Sequence, residues 1–208
     1  MAGVLIVSAP RSGSSCTAGL LHLHGFPLGT AHSLHTDEYN EKGYFENDKI
    51  LNFNRDVLNE ISVDVFCTEH PTEEQHRLYM ANVERLSGLF NGQFKVFDHF
   101  LIKDPRIAIL QDLYLVALPP FKVVLLERRA EDVAKSINRL KGFALEKGHH
   151  IWEVYNDLLV DMSHKVVHYR LYFEDILDQM PDLCKWLEVE YKEEESRKFV
   201  EEKLVHFK

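Results

Sequence analysis

Apolar residues fall in two kinds of run along the chain, short continuous ones and longer ones spaced three or four apart. Val4 to Ser8 is continuous and reads as a strand buried on both faces, while leucines at 20, 21 and 23 suit a helix from Ser14 to His24. Gly25 to Gly43 is rich in Gly, His, Thr, Asn and Asp with little periodicity, which predicts a long loop. Helices are expected over about 47–59 and 72–90, the second starting at Pro71 or Thr72, followed by a short strand from Phe94 to Phe97. Ile107 to Leu118 reads as a mostly buried helix that Pro119-Pro120 ends, and Phe121 to Leu126 is the clearest internal strand. A helix from Ala130 to Lys141, another near 150–163, a strand from Val166 to Tyr169 and helical stretches near 175–188 and 193–204 complete the pattern. Strands alternating with helices predict an α/β three-layer sandwich with a central parallel sheet.

The 208 residues suit a single domain spanning 1–208. With 45% hydrophobic and 27% charged residues the composition is globular, and no run approaches the roughly 18 apolar residues of a membrane span. Gly3 to Val7 is too short and lacks the basic flank of a signal peptide, so a cytoplasmic location without membrane contact is expected. A net charge of −9 argues against a nucleic-acid partner, whose phosphates need clustered Lys and Arg, so any anion must be held by a local site. Cys16, Cys67 and Cys184 suit reduced thiols, although the helix start at Cys16 favours a lowered thiol pKa. The twelve histidines include His22-x-His24, His32-x-x-His35 and His149-His150, none with the carboxylate or Cys partners of a recognisable metal site. No metal is expected.

Candidate chemistry lies where the first strand meets the first helix. The turn Ala9-Pro10-Arg11-Ser12-Gly13-Ser14-Ser15 would expose backbone N–H groups at the positive end of a helix dipole, a cradle for phosphate or sulfate. Gly13 allows close backbone approach, Arg11 adds a permanent fork of donors, and Ser12, Ser14 and Ser15 add hydroxyls. An ordinary turn with a surface arginine is the alternative for this segment alone. The nucleotide-triphosphate loop G-x-x-x-x-G-K-S/T is longer and carries its Lys after the glycine. A second signal is the strand Val123 to Leu126 running into Arg128, with Ser136 about two helical turns on; taken alone it also fits a solvated helix face.

Pro-Arg-Ser-Gly-Ser-Ser resembles the 5′-phosphosulfate-binding loop of sulfotransferases that use 3′-phosphoadenosine 5′-phosphosulfate (PAPS), and Arg128 with Ser136 resembles their 3′-phosphate element. Gly25 to Gly29, Asn40 to Asn47, Ile102-Lys103-Asp104-Pro105-Arg106 and Phe173 to Leu177 are similar to short bacterial members. The resemblance implies a P-loop NTPase-like sulfotransferase fold and transfer of a sulfuryl group from PAPS to a hydroxyl or amine, without a metal. The C-terminal Arg-Lys-Gly segment of the cytosolic enzymes has no match in Glu188 to Lys208, which leaves the adenine contacts open.

That resemblance further implies roles. Arg11 stabilises the sulfuryl oxygens and the leaving phosphate, Ser14 and Ser15 bind the 5′-phosphate, and Lys103 approaches the bridge oxygen. Glu46, among aromatics that would raise its pKa, is the expected general base, with His99, Asp104, His32 and His35 as alternatives. The acceptor is expected to lie against residues of about 25–95; Phe53, Phe66, Phe97 and Phe100 are candidate pocket walls, which core packing explains at least as well. A P-loop kinase or NTPase and a catalytically silent nucleotide-binding protein are the rival readings.

Overall fold

The structure is a computed structural model that describes residues 2–33, 36–37, 40 and 42–201. Four parallel strands form its centre: β1 (Ala2–Ser8), β4 (His99–Lys103), β5 (Phe121–Glu127) and β6 (His168–Tyr172), in the order β4-β1-β5-β6. Two-residue strands β2 (His32–Ser33) and β3 (Glu46–Asn47) pair separately and antiparallel. Helices α1 (Ser14–Leu23), α9 (Ile176–Leu187) and α10 (Glu193–Glu201) are packed at one face. The other face carries α2 (Asp48–Glu60), α3 (Glu73–Met80), α4 (Val83–Phe94), α5 (Arg106–Ile109), α6 (Gln111–Ala117), α7 (Ala130–Lys141) and α8 (Leu145–Lys165).

Strand alternation explains the two-sided core. Val4 and Ile6 of β1, with Val124 and Leu126 of β5, meet α1 and α9, while Leu5, Val7, Val123 and Leu125 meet the larger helical layer. All eight are essentially inaccessible to solvent, so truncating any of them to Ala costs on the order of 2–5 kcal/mol. Helices α7 and α8 approach so closely that a Cβ on Gly148 would stand 2.8 Å from Ala134 Cα. Among the described residues, no helix is long and apolar enough to cross a membrane.

The predicted α/β sandwich with a parallel sheet is the observed architecture, and several elements differ locally. The strand expected from Phe94 to Phe97 is absent: Phe94 ends α4, where it continues the buried helical stripe Leu86, Phe90, Phe94, and Val96 is exposed. The helix expected over 72–90 breaks at Ala81-Asn82 into α3 and α4. Its start is the expected one, a capping box in which Thr72 accepts from the Gln75 N–H and Gln75 returns a bond to the Thr72 N–H. The strand expected over 166–169 lies at 168–172 because it pairs with Val123 to Glu127, and the helix expected from 150 begins at Leu145.

Candidate active site

All four parallel strands point their C-terminal ends toward one edge, the place where open α/β sheets bind ligands. The loop after β1 carries Arg11 and Gly13, β4 ends at Lys103, β5 leads to Arg128, and β6 leads to Phe173. Parallel pairing thus gathers residues that are far apart in sequence around one cavity of about 720 Å3, within the ~300–1,000 Å3 of small-molecule sites.

The β1–α1 loop is conformationally unusual. Arg11 has φ 67 and Gly13 φ 89, so both are left-handed, a region that costs a non-glycine residue roughly 1–2 kcal/mol. The surrounding bonds hold that conformation. The Arg128 Nη1 donates to the Arg11 carbonyl at 3.1 Å, and the Arg11 Nε donates to Ser136 Oγ at 3.1 Å. Phe173 packs over the loop so tightly that a Cβ on Gly13 would stand 2.1 Å from its Cδ2. The same ring lies 4.9 Å from the Arg128 guanidinium. Burial, helped by the neighbouring cations Arg11 and Arg139, draws the Arg128 pKa below its ordinary value against the pull of Asp132 and Glu174. Arg11, Gly13, Ser14, Ser15, Arg128 and Ser136 therefore line one cavity, whereas Ser12 is buried and does not.

Lys103 and Glu46 form an ion pair at 2.7 Å whose side chains are 2% and 13% exposed. The Lys103 Nζ also donates to Ser15 Oγ at 3.2 Å, which ties the pair to the β1–α1 loop. Glu46 is aimed by its flanks: Phe45 turns the chain at φ 52, and Asn47 caps α2 by accepting from the Lys49 and Ile50 N–H groups. Burial pushes the Glu46 carboxyl pKa up, and Lys103 only partly opposes this.

The other described base candidates do not line the cavity. His99 starts β4, four residues and roughly 13 Å of strand from Lys103, with its ring against Phe26. His32 lies outside the cavity and bonds the Gly29 carbonyl, and Asp104 is buried, accepting from Asn54 and from Arg106. His35 lies outside the described residues. Of the candidate aromatic walls, Phe66 lines the cavity, Phe53 and Phe100 are core residues, and Phe97 is half-buried away from it. Cys16 also lines the cavity, but burial pushes its thiol pKa up to about 12 instead of lowering it as the helix start suggested.

Several lining residues escaped the sequence analysis. Besides Arg11, Lys103 and Arg128, the cavity is lined by Lys42, Arg55, Arg106, Arg139 and Lys141, and by one carboxylate, Glu46, among the described residues. A chain of net charge −9 has gathered eight of its cations here. Arg139, three residues beyond Ser136 on α7, was open to detection by helical spacing. Arg55 had no local signal, and Lys42 stood within Asn40 to Asn47 without being singled out. No cluster of three or more His, Cys, Asp or Glu able to hold a metal occurs among the described residues.

No protein-family model and no curated protein sequence matches the chain. Among solved structures, the sulfotransferase domain from the Synechococcus PCC 7002 olefin synthase is similar, with a TM-score of 0.58 and 20% identity over 93% of this chain and 75% of that one. The likeness is one of fold: a central parallel four-stranded sheet flanked by helices, as in that sulfotransferase domain.

Proposed function

We propose that the chain is a sulfotransferase that moves a sulfuryl group from PAPS to a hydroxyl or amine. The observation that carries this reading is the convergence of two anion-binding elements, the Arg11–Ser15 loop and Arg128 with Ser136, bonded to each other within one cation-lined cavity. A donor with phosphates at both ends needs two such elements, and the similarity of fold to a sulfotransferase domain supports the same assignment. The residues suit that donor chemically: fixed guanidinium and ammonium groups and loop hydroxyls face one space, and burial already penalises the charge of Arg128 in a way that an anion would relieve.

In this reading Ser14, Ser15 and the loop N–H groups hold the 5′-phosphate, with Arg11 over the sulfuryl oxygens. Arg128 and Ser136 hold the 3′-phosphate. Lys103 stabilises charge building on the bridge oxygen as the S–O bond to the leaving phosphate breaks. Glu46 takes the proton of the acceptor as its oxygen or nitrogen bonds to sulfur, leaving 3′-phosphoadenosine 5′-phosphate and a sulfated acceptor. A carboxylate with a raised pKa is the stronger base for that step. The acceptor enters beside residues of the 25–95 region, of which Lys42, Tyr44, Leu51 and Phe66 line the cavity.

The test is a thermal-shift titration. 3′-Phosphoadenosine 5′-phosphate should raise the melting temperature without magnesium, and Arg11→Ala or Arg128→Ala should abolish the rise. A shift with ATP and magnesium instead would favour an NTPase, and no shift with either nucleotide would refute the proposal.

A further inference from the structure

The cavity holds more positive charge than the proposed donor would match. PAPS carries roughly four negative charges, about two of them on its terminal phosphate. Arg11, Lys103, Arg128 and Arg139, gathered around the two anion elements, answer those four. Lys42, Arg55, Arg106 and Lys141 remain, of which Lys42 donates to the Phe199 carbonyl.

The geometry places two of these on the base side. Arg106 follows β4 and is close enough to Glu46 for the two charges to perturb each other. Its Nη1 donates to the buried Asp104 carboxylate at 2.8 Å, and among the described residues the guanidinium bonds nothing else. Asp104 is in turn fixed by Asn54, which accepts from the Tyr114 hydroxyl, so a wholly buried network holds Arg106 in place. Helix α2 packs against α5, which starts at Arg106, and presents Leu51 and Arg55 one turn apart on the same face. Arg55 is exposed and makes no hydrogen bond or ion pair among the described residues. Val65 and Phe66 add apolar surface to the same cavity.

We propose that the acceptor bears an anionic group, such as a carboxylate, beside its reacting hydroxyl or amine, that Arg106 and Arg55 read this group, and that Leu51, Val65 and Phe66 cover an apolar part of it. A guanidinium fork pre-set by a buried carboxylate is the arrangement that recognises planar oxyanions, and an unpaired arginine nearby adds attraction without a competing partner. The proposal deepens the sulfotransferase reading and rests on it for the position of the reacting group.

Calorimetric titration of 4-hydroxyphenylacetate against its uncharged amide, into the protein with and without 3′-phosphoadenosine 5′-phosphate, tests it. With nucleotide bound, the carboxylate should bind at least about tenfold more tightly, the size of one charge-assisted contact. Arg55→Gln should remove most of that preference. Arg106→Lys, which keeps a cation beside Asp104, should weaken it, and Arg77→Gln on α3, outside the cavity, should leave it intact. Equal affinities, binding of neither probe, or a preference that survives Arg55→Gln would overturn the inference. Nucleotide binding without the preference overturns this inference alone. A preference that depends on Arg55, in a protein that binds no nucleotide, overturns the donor reading and leaves the anion subsite standing.

Discussion

Replacing Gly13 by Ala should strike the anion loop through two separate terms. The first is conformational: at φ 89 an L side chain costs roughly 1–2 kcal/mol that glycine avoids. The second is steric, since the new Cβ would lie 2.1 Å from Phe173 Cδ2 and 2.8 Å from its Cγ. Those atoms sit near the root of a ring only 9% exposed, so the ring cannot swing aside freely, and overpacking of this kind costs about 1–3 kcal/mol. Together the loss is about 2–5 kcal/mol, or a fall of roughly 4–20 °C in Tm for a chain of this length. Phe173→Ala alone should cost about 3–5 kcal/mol as a buried aromatic truncation. In the double variant the struck ring is gone, so urea denaturation should find the pair less destabilised than the sum of the singles by about 1–3 kcal/mol. Costs that add to within ~0.5 kcal/mol would refute the packing of Phe173 on this loop. Because the same ring lies over Arg128, Gly13→Ala should also weaken nucleotide binding under conditions where the protein remains folded.

Removing the Lys103 ammonium by Lys103→Met leaves the buried Glu46 carboxylate unpaired, with an expected loss of about 3–5 kcal/mol at alkaline pH. Its folded pKa, already raised, would then rise further. Such a group adds stability below its unfolded pKa of ~4.3 and loses it as pH climbs through the folded value, so the variant should be penalised more at pH 8 than at pH 5. Lys103→Met with Glu46→Gln should erase that pH dependence, and denaturant melts at both pH values check it. If Glu46 is the base, Glu46→Gln should lower turnover by about 10²–10⁴-fold while the thermal shift with 3′-phosphoadenosine 5′-phosphate persists, and the acid limb of the pH–rate profile should disappear. Burial holds the Cys16 pKa at about 12 and those of Cys67 and Cys184 at about 11, so at pH 8 a disulfide reagent should modify these thiols much more slowly in the folded protein than after unfolding.

The legible parts of the chain were those with local causes. Strands β1 and β5 lie between helical layers and read as largely apolar runs, and α7 has the expected bounds, with Gly142 ending it in a left-handed turn. Strand β4 was misplaced by five residues. Phe94 belongs by period to the stripe of α4, and His99–Lys103 is mostly buried only because β1 pairs with it. The anion loop, Arg128, Ser136, Lys103 and Glu46 were all visible as residues. Arg55 was not, since an arginine on a helix reads as a solvated side chain until something folds opposite it, and Arg139 was marked only by its spacing from Ser136.

By itself, then, the sequence determined the strand–turn–helix that bends around Gly13, the alternation that makes a parallel sheet, and the presence of two basic elements. The tertiary structure alone decided that Arg11 and Ser136, 125 residues apart, bond to each other, that Glu46 finds Lys103 across 57 residues, and that eight cations of an acidic chain share one cavity. The physical reason is that turns and helix caps depend on neighbours in the chain, whereas a site at the edge of a parallel sheet exists only once the strand order and the packing of distant helices have brought their ends together.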